Sequence, residues 1–211
     1  MTAKRSAVFK LDMTGHLTVL YSFTGGADGA YPIGGVILYP VGNLYGTAGG
    51  GTAGYGVVFE LAATGQLSVL HSFKGQPDGA YPNPGVVRDP AGNLYGSTIN
   101  GGGGNEGTVF KLDTAGHLSV LYSFGGGTDG SSPYGSLIRD PAGNLFGTTV
   151  SGGTAGWGTL YKLDPERRGR IQAHGRGGGA MITPTVFALL SPFAEHCYNL
   201  LSPLLRSSCH G

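Results

Sequence analysis

The sequence repeats itself about every 50 residues, and this constrains the fold more than any other feature. Residues 8–12 read Val-Phe-Lys-Leu-Asp, and closely similar segments begin at Val58, Val109 and Leu160. Asn-Leu-Tyr-Gly at 43–46 returns at 93–96 and, with Phe for Tyr, at 144–147. A repeat of this length is typical of an array in which each copy forms one unit of supersecondary structure.

Each copy contains four short apolar segments separated by turn residues. Asp89-Pro90-Ala91-Gly92 is one such turn, because proline presets φ and glycine accepts the left-handed conformation. In 117–124, Leu118, Val120, Tyr122 and Phe124 alternate with Ser119, Leu121 and Ser123, which predicts that the first four share one strand face. For the middle copy we predict strands over Gly85–Asp89, Asn93–Thr98, Gly107–Leu112 and His117–Phe124.

Four antiparallel strands at this period predict an all-β fold, a β-propeller-like array of four-stranded blades. The strands amount to about three blades, fewer than the four to eight of most propellers, so we expect an incomplete ring or a fragment. An incomplete ring leaves apolar side chains uncovered, among them Val8, Leu17, Val19 and Tyr21. A homo-oligomer that closes the ring is therefore a predicted partner arrangement.

The segment at 85–96, Gly-Val-Val-Arg-Asp-Pro-Ala-Gly-Asn-Leu-Tyr-Gly, resembles the first two strands of NHL-type propeller repeats. With Gly-Thr-Val-Phe-Lys-Leu-Asp and the Leu-Tyr-Ser-Phe and Asp-Gly motifs, the whole unit over 7–164 resembles the GloVer tandem repeat. That resemblance implies a bacterial, exported, surface-held protein and hence an extracellular or cell-surface location. It implies no reaction.

Composition excludes several classes of function. Glycine supplies 42 of 211 residues without a Gly-X-Y register, so collagen is excluded. The first 164 residues carry eight basic and ten acidic side chains, a net charge of −2 that argues against nucleic acid as a partner. The N-terminus does not read as a signal peptide, and no apolar segment is long enough to predict a membrane span.

The repeat pattern stops after Asp164, so we divide the chain into a repeat region at 1–164 and a basic tail at 165–211. A fourth strand is expected after Asp164, but the sequence continues with Pro165-Glu166-Arg167-Arg168 instead. The tail raises the net charge by +3. We expect a disordered or frame-shifted segment that adds no complete strand, with a short helical tail as the alternative.

The candidate site residues lie in the long glycine-rich junctions, which alternate with the tight turns and therefore share one face of a propeller. Aromatic rings beside carboxylates can grip a sugar by stacking and hydrogen bonding. The alternative is structural: aspartate caps a turn, tyrosine covers the blade edge, and recurrence in every copy favours this interpretation. The candidate ligand-binding residues are Asp28, Tyr31, Tyr55, Asp78, Tyr81, Asp129, Tyr134 and Trp157.

No motif for catalysis, phosphate binding or metal ligation accompanies these residues. His16 and His117 follow turns, but Gln66 replaces them in the copy between, which argues against a metal site. We therefore expect no catalytic residue, no metal and no cofactor. The favoured function is a non-catalytic scaffold that binds a glycan or protein, and the alternative is an NHL-like propeller enzyme of the metal-dependent lactonase or lyase type.

Overall fold

The computed structural model describes residues 6–82, 84–166 and 171–174, and in these ranges the chain forms strands and loops without a helix. The strands are β1 (Ala7–Leu11), β2 (Leu17–Ser22), β3 (Ile37–Leu38), β4 (Leu44–Ala48), β5 (Val57–Leu61), β6 (Leu67–Ser72), β7 (Val86–Arg88), β8 (Leu94–Thr98), β9 (Thr108–Leu112), β10 (Leu118–Ser123), β11 (Ile138–Arg139), β12 (Leu145–Thr148), β13 (Leu160–Leu163) and β14 (Ile171–His174).

The strands form three four-stranded sheets and one two-stranded sheet, all with neighbouring strands consecutive in sequence and antiparallel. We call β3–β6 blade 1, β7–β10 blade 2, β11–β14 blade 3, and the β1–β2 pair the half-blade. Isolated parallel bridges, such as that between Gly50 and Tyr55, occur only within loops. The predicted all-β, propeller-like architecture is thus confirmed.

In blade 2 the observed strands begin and end within two residues of the predicted limits. The turn between β7 and β8 explains this accuracy. Gly92 lies at φ 97° and its N–H donates to the Asp89 carbonyl at 3.1 Å, while the Asp89 N–H donates to the Asn93 carbonyl at 3.0 Å. The turn residues therefore fix where one strand ends and the next begins.

The prediction that nothing after Asp164 completes a blade is wrong. Ile171–His174 forms β14, which pairs antiparallel with β13 and supplies the fourth strand of blade 3. Its hairpin is longer than the one between Leu112 and Leu118, and its sequence lacks the Leu-Tyr-Ser-Phe motif. The repeat region thus extends past 164, whereas the predicted disorder of the remaining tail concerns 167–170 and 175–211, which lie outside the described residues.

The hydrophobic core lies between successive blades rather than within them. Between blades 1 and 2 it contains buried Val58 and Phe73 from one side and Val86, Phe110 and Leu112 from the other. An edge-to-face aromatic pair recurs at each of the three junctions, with centroids 5.1 to 5.3 Å apart: Phe23–Phe59, Phe73–Phe110 and Phe124–Tyr161. This is the packing expected of stacked propeller blades.

The predicted alternation along β10 is wrong at its centre. Val120 pairs with Phe110 but Tyr122 pairs with Val109, so Leu121 is the extra residue of a β-bulge. As a result Leu118 packs toward blade 1, whereas Tyr122 packs toward blade 3. The same register shift occurs in the hairpins of the half-blade and blade 1.

Among the residues that the structure describes, none covers one face of the half-blade. Phe9 pairs with Val19 and Leu11 with Leu17, and all four side chains are more than half exposed. Leu17 and Val19 are thus exposed as predicted. Val8 is buried and Tyr21 half-buried, because both pack against blade 1 on the opposite face.

Candidate functional site

The long glycine-rich connections form one end of each blade, which we call the loop face. They link the second strand to the third within a blade and the fourth strand to the first strand of the next blade. Because neighbouring strands are antiparallel, these connections emerge opposite the tight Asp-Pro-Ala-Gly turns. All eight predicted site residues lie in them.

The three aspartates each hold a loop closed from within. Asp129 accepts hydrogen bonds of 2.8 Å from the Gly125 N–H and of 2.8 Å from the Tyr122 hydroxyl. Asp28 accepts the corresponding bonds from the Thr24 N–H at 2.7 Å and from the Tyr21 hydroxyl at 2.9 Å. These carboxylates are therefore engaged in turn capping, which agrees with the structural interpretation.

The same network contains a histidine in the connection from blade 1 to blade 2. His71 takes the place of the tyrosine, and its Nε2 lies 3.0 Å from the Asp78 carboxylate. The Lys74 N–H donates to the other carboxylate oxygen at 3.1 Å. His71 was not among the predicted residues; the replacement of Tyr by His at one of three equivalent positions was the available signal.

The electrostatics of these networks follow from burial and hydrogen bonding. Burial acts to raise the pKa of Asp28, but the hydrogen bonds from Thr24 and Tyr21 outweigh it and the pKa lies below its ordinary value. Burial, with help from Asp129, raises the pKa of Tyr122 to about 12. The Tyr122 hydroxyl therefore remains a donor, and the Asp28 carboxylate an acceptor, at neutral pH.

A left-handed residue follows each aspartate by three positions. Tyr31, Tyr81 and Ser132 have φ of 51°, 58° and 52°, a conformation that non-glycine residues rarely adopt. Ser132 is thus the true equivalent of the two tyrosines, whereas Tyr134 lies two residues further along. The Asp-to-Pro spacing sets this register, since Tyr31, Tyr81 and Ser132 each precede a proline.

The other junction within each blade carries Tyr55, Glu106 and Trp157 at equivalent positions. Of the predicted aromatic residues, the structure brings Tyr55 and Tyr81 together, with ring centroids 6.4 Å apart and planes at 63°. Tyr31, Tyr134 and Trp157 are exposed, Trp157 to 90%. The five predicted aromatic residues therefore form one contacting pair and three further exposed rings on the same face.

Charged residues mark the opposite end of the blades. The Arg88 guanidinium of blade 2 lies 3.6 Å from the ring centroid of Tyr39 in blade 1, and Asp89 is buried in its turn. His16 and His117 lie beside Asp12 and Asp113 at the surface. Among the described residues, no group of three or more His, Cys, Asp or Glu side chains has the arrangement of a metal site.

Comparisons with known proteins identify the repeat. The family model for the Gloeobacter/Verrucomicrobia repeat matches residues 1–182, which also places β14 inside the repeat. No curated protein matches the sequence. In the part of the chain that the structure describes, no helix has the length and apolarity needed to cross a membrane.

Among solved structures, the crystal structure of a protein named as a gluconolactonase is similar to the chain, with 22% sequence identity and a TM-score of 0.49. The similarity covers 80% of this chain and 55% of that protein, so the chain spans about half of that protein's length. The family match covers most of the sequence and includes every strand of the three blades. The chain belongs to the Gloeobacter/Verrucomicrobia repeat family.

Proposed function

We propose that the chain is a non-catalytic repeat scaffold, at the cell surface or outside the cell, that binds a glycan or protein ligand through its loop face. The observation that carries the proposal is the exposure of five aromatic side chains on that one face. Tyr31, Tyr55, Tyr81, Tyr134 and Trp157 are each exposed by 40% or more. Aromatic rings supply large contact areas with little loss of side-chain entropy.

The loops that carry Tyr31, Tyr81 and Tyr134 are anchored. Their aspartates, Asp28, Asp78 and Asp129, each bond to a side chain of the preceding strand, which is Tyr21, His71 or Tyr122. A ring on an anchored loop loses less conformational entropy on binding than one on a mobile loop. The aspartates thus support ligand binding through the loops rather than by direct contact.

Retention on insoluble polysaccharides tests the proposal, with cellulose, chitin and starch as the glycans and a peptide array as the protein arm. The variant replaces all five loop-face aromatics by alanine. We expect the wild type to be retained on at least one surface, the variant to be lost from it, and no sugar to be released. Equal retention of both proteins, or cleavage of the bound polymer, would contradict the proposal.

We also propose that the uncovered face of the half-blade contacts a second copy of the chain. Phe9 is 59% exposed, whereas its equivalents Phe59 and Phe110 are fully buried against a preceding blade. This face has the apolar composition of the core between two blades. It supports association, because exposed apolar surface favours contact with a partner.

A further inference from the structure

We propose that the loop face binds a pyranose ring of a neutral oligosaccharide at one place, the pair of exposed rings of Tyr55 and Tyr81, which we call the notch. This inference rests on the proposed function and specifies its ligand and position. Tyr55 belongs to blade 1, and Tyr81 lies in the connection that leads to blade 2, so the notch spans the junction of the two blades. The two rings are 40% and 43% exposed.

The scaffold does not need aromatic side chains at this junction. The Tyr81 N–H donates to the Tyr55 carbonyl at 2.7 Å, and this backbone bond joins the two loops. At the next junction the Ser132 N–H donates to the Glu106 carbonyl at 2.8 Å. The same bond therefore forms between residues without rings, and the two tyrosines require another explanation.

The backbone at Tyr81 strengthens this point. A tyrosine at φ 58° is strained relative to the asparagine or glycine that the left-handed region favours. Non-glycine residues persist in such conformations chiefly where the surroundings or the function require the side chain. The Tyr81 ring is 43% exposed, so core packing does not account for it.

The Tyr55 ring packs against the backbone of a neighbouring loop. A Cβ placed on Gly75 would lie 3.2 to 3.4 Å from three atoms of the ring, so the ring rests on the backbone of this glycine. At the next junction the Glu106 side chain occupies the equivalent place over Gly126, where a Cβ added to the glycine would lie 3.1 Å from it. Tyrosine and glutamate thus occupy one and the same position in successive blades.

The surroundings of the notch suit a sugar better than an apolar ligand. Lys74 and Gln76 are exposed and flank Gly75, the glycine next to the Tyr55 ring, so two side chains with hydrogen-bonding groups leave the chain at this point. The tyrosine hydroxyls add two donors. A pyranose presents C–H groups on one face and hydroxyls at its rim, which matches an aromatic face surrounded by polar groups.

Isothermal titration calorimetry with cellohexaose, chitohexaose and maltohexaose tests the proposal. Titrations extend to about 10 mM, because a Kd near 1 mM represents the weak binding expected of a shallow site. The first variant is Tyr55→Glu with Tyr81→Ser, the pair that the chain itself uses at the next junction. The second is Tyr81→Asn, which relieves the left-handed strain. Val150→Ala is the control on the same face, because Val150 is exposed in the connection from β12 to β13 and is not one of the five aromatic residues.

We expect at least one hexasaccharide to bind the wild type. The Tyr55→Glu/Tyr81→Ser variant should weaken binding at least tenfold, whereas Val150→Ala should change it less than about twofold. Tyr81→Asn should weaken binding while leaving the thermal midpoint equal or higher, which separates lost contact from lost fold. Tyr55→Phe should retain binding within a few-fold, because stacking survives without the hydroxyl.

Unchanged binding in both notch variants would overturn the proposal, and so would the absence of binding to all three sugars. Polysaccharide retention that the five-aromatic variant loses and the notch variants keep would overturn the notch while leaving the proposed function intact. Binding of a peptide alone at the notch would identify a protein ligand and would likewise overturn the sugar assignment.

Discussion

The Tyr95 hydroxyl donates a hydrogen bond of 3.0 Å to the carboxylate of Asp89, a side chain that is only 7% exposed. The Asn93 side chain and N–H add two bonds of 2.8 Å. Burying a carboxylate is costly unless such donors replace its hydration. The Asp89 carboxylate therefore bonds the turn between β7 and β8 to strand β8.

In blade 1 the corresponding turn is held by a different carboxylate. Tyr39 stands where blade 2 has Asp89, and the carboxylate comes from Glu60 on β5. Glu60 accepts from the Asn43 amide at 2.6 Å and from the Tyr45 hydroxyl at 2.9 Å. The asparagine and tyrosine donors are present in both blades. The accepting carboxylate lies in the turn in blade 2 and on β5 in blade 1.

Glu60→Lys should therefore destabilise the protein although lysine occupies the equivalent positions 111 and 162. The change leaves Asn43 and Tyr45 without their acceptor, which we expect to lower the free energy of unfolding by about 1–3 kcal/mol. Urea denaturation measures the loss. Adding Tyr39→Asp restores the acceptor of blade 2 and should recover at least part of it; equal stability of the single variant and the wild type would contradict this explanation.

The buried carboxylate also predicts a dependence of stability on pH. Burial acts to raise the pKa of Asp89, but the bonds from Asn93 and Tyr95 outweigh it, so the pKa lies below its ordinary 3.8. Such a group stabilises the fold above pH 3.8, and this contribution is lost as the pH falls through the lower folded value. Urea titrations at neutral and acid pH should show a smaller difference for Asp89→Asn than for the wild type.

Asp113→Asn is the control for this measurement, because the Asp113 side chain is 38% exposed and should contribute less. An acid dependence that Asp89→Asn leaves unaltered would count against the buried turn as its source. Tyr95 gives the alkaline counterpart: burial and Asp89 raise its pKa from 10.0 to about 12, so stability should be lost as the pH rises through this interval.

Tyr161→Phe should preserve or increase stability. Tyr161 is fully buried where Phe59 and Phe110 stand in the other blades, and its hydroxyl has no hydrogen-bond partner among the described residues. Burial raises the pKa of Tyr161, while Ser97 acts in the opposite direction without reaching hydrogen-bond geometry. We expect a gain of about 1 kcal/mol or no change by thermal denaturation; a loss above about 1 kcal/mol would show that the hydroxyl is satisfied.

The uncovered half-blade predicts self-association. Sedimentation velocity should show a weight-average mass that rises with concentration up to tens of micromolar, roughly the range in which exposed apolar surface associates. Phe9→Ser removes apolar area at the centre of the face and should reduce this rise. Met13→Ser, in the exposed turn beside the face, is the control. A wild type that stays monomeric throughout would contradict the proposed contact.

Much of the fold could be predicted from the sequence because local residues determine it. The turn at Asp89–Gly92 closes through its own backbone and side-chain bonds, so its residues alone locate β7 and β8. The bulge at Leu121 was missed because alternation assumes an uninterrupted ladder. β14 was missed because its pairing with β13 depends on an available strand edge and not on the Leu-Tyr-Ser-Phe motif.

The site was less predictable because its members meet across blades. The capping role of the aspartates follows from local spacing, and the sequence favoured it. The contact between Tyr55 and Tyr81 joins residues of two repeats, and the role of Glu60 joins two strands. Neither relationship follows from comparing copies position by position, since the partners belong to different positions.

Successive copies share one backbone architecture. In our proposal, the ligand is bound by side chains that differ between copies. Building the notch at the next junction tests this directly. Glu106→Tyr with Ser132→Tyr places one tyrosine over Gly126 and the other at the left-handed position, and the backbone bond between the two positions already exists. These two changes are therefore made in the Tyr55→Glu/Tyr81→Ser variant, and calorimetric titration with the hexasaccharide that binds the wild type should show that binding is recovered. A folded four-site variant that binds no better than Tyr55→Glu/Tyr81→Ser would contradict the proposal.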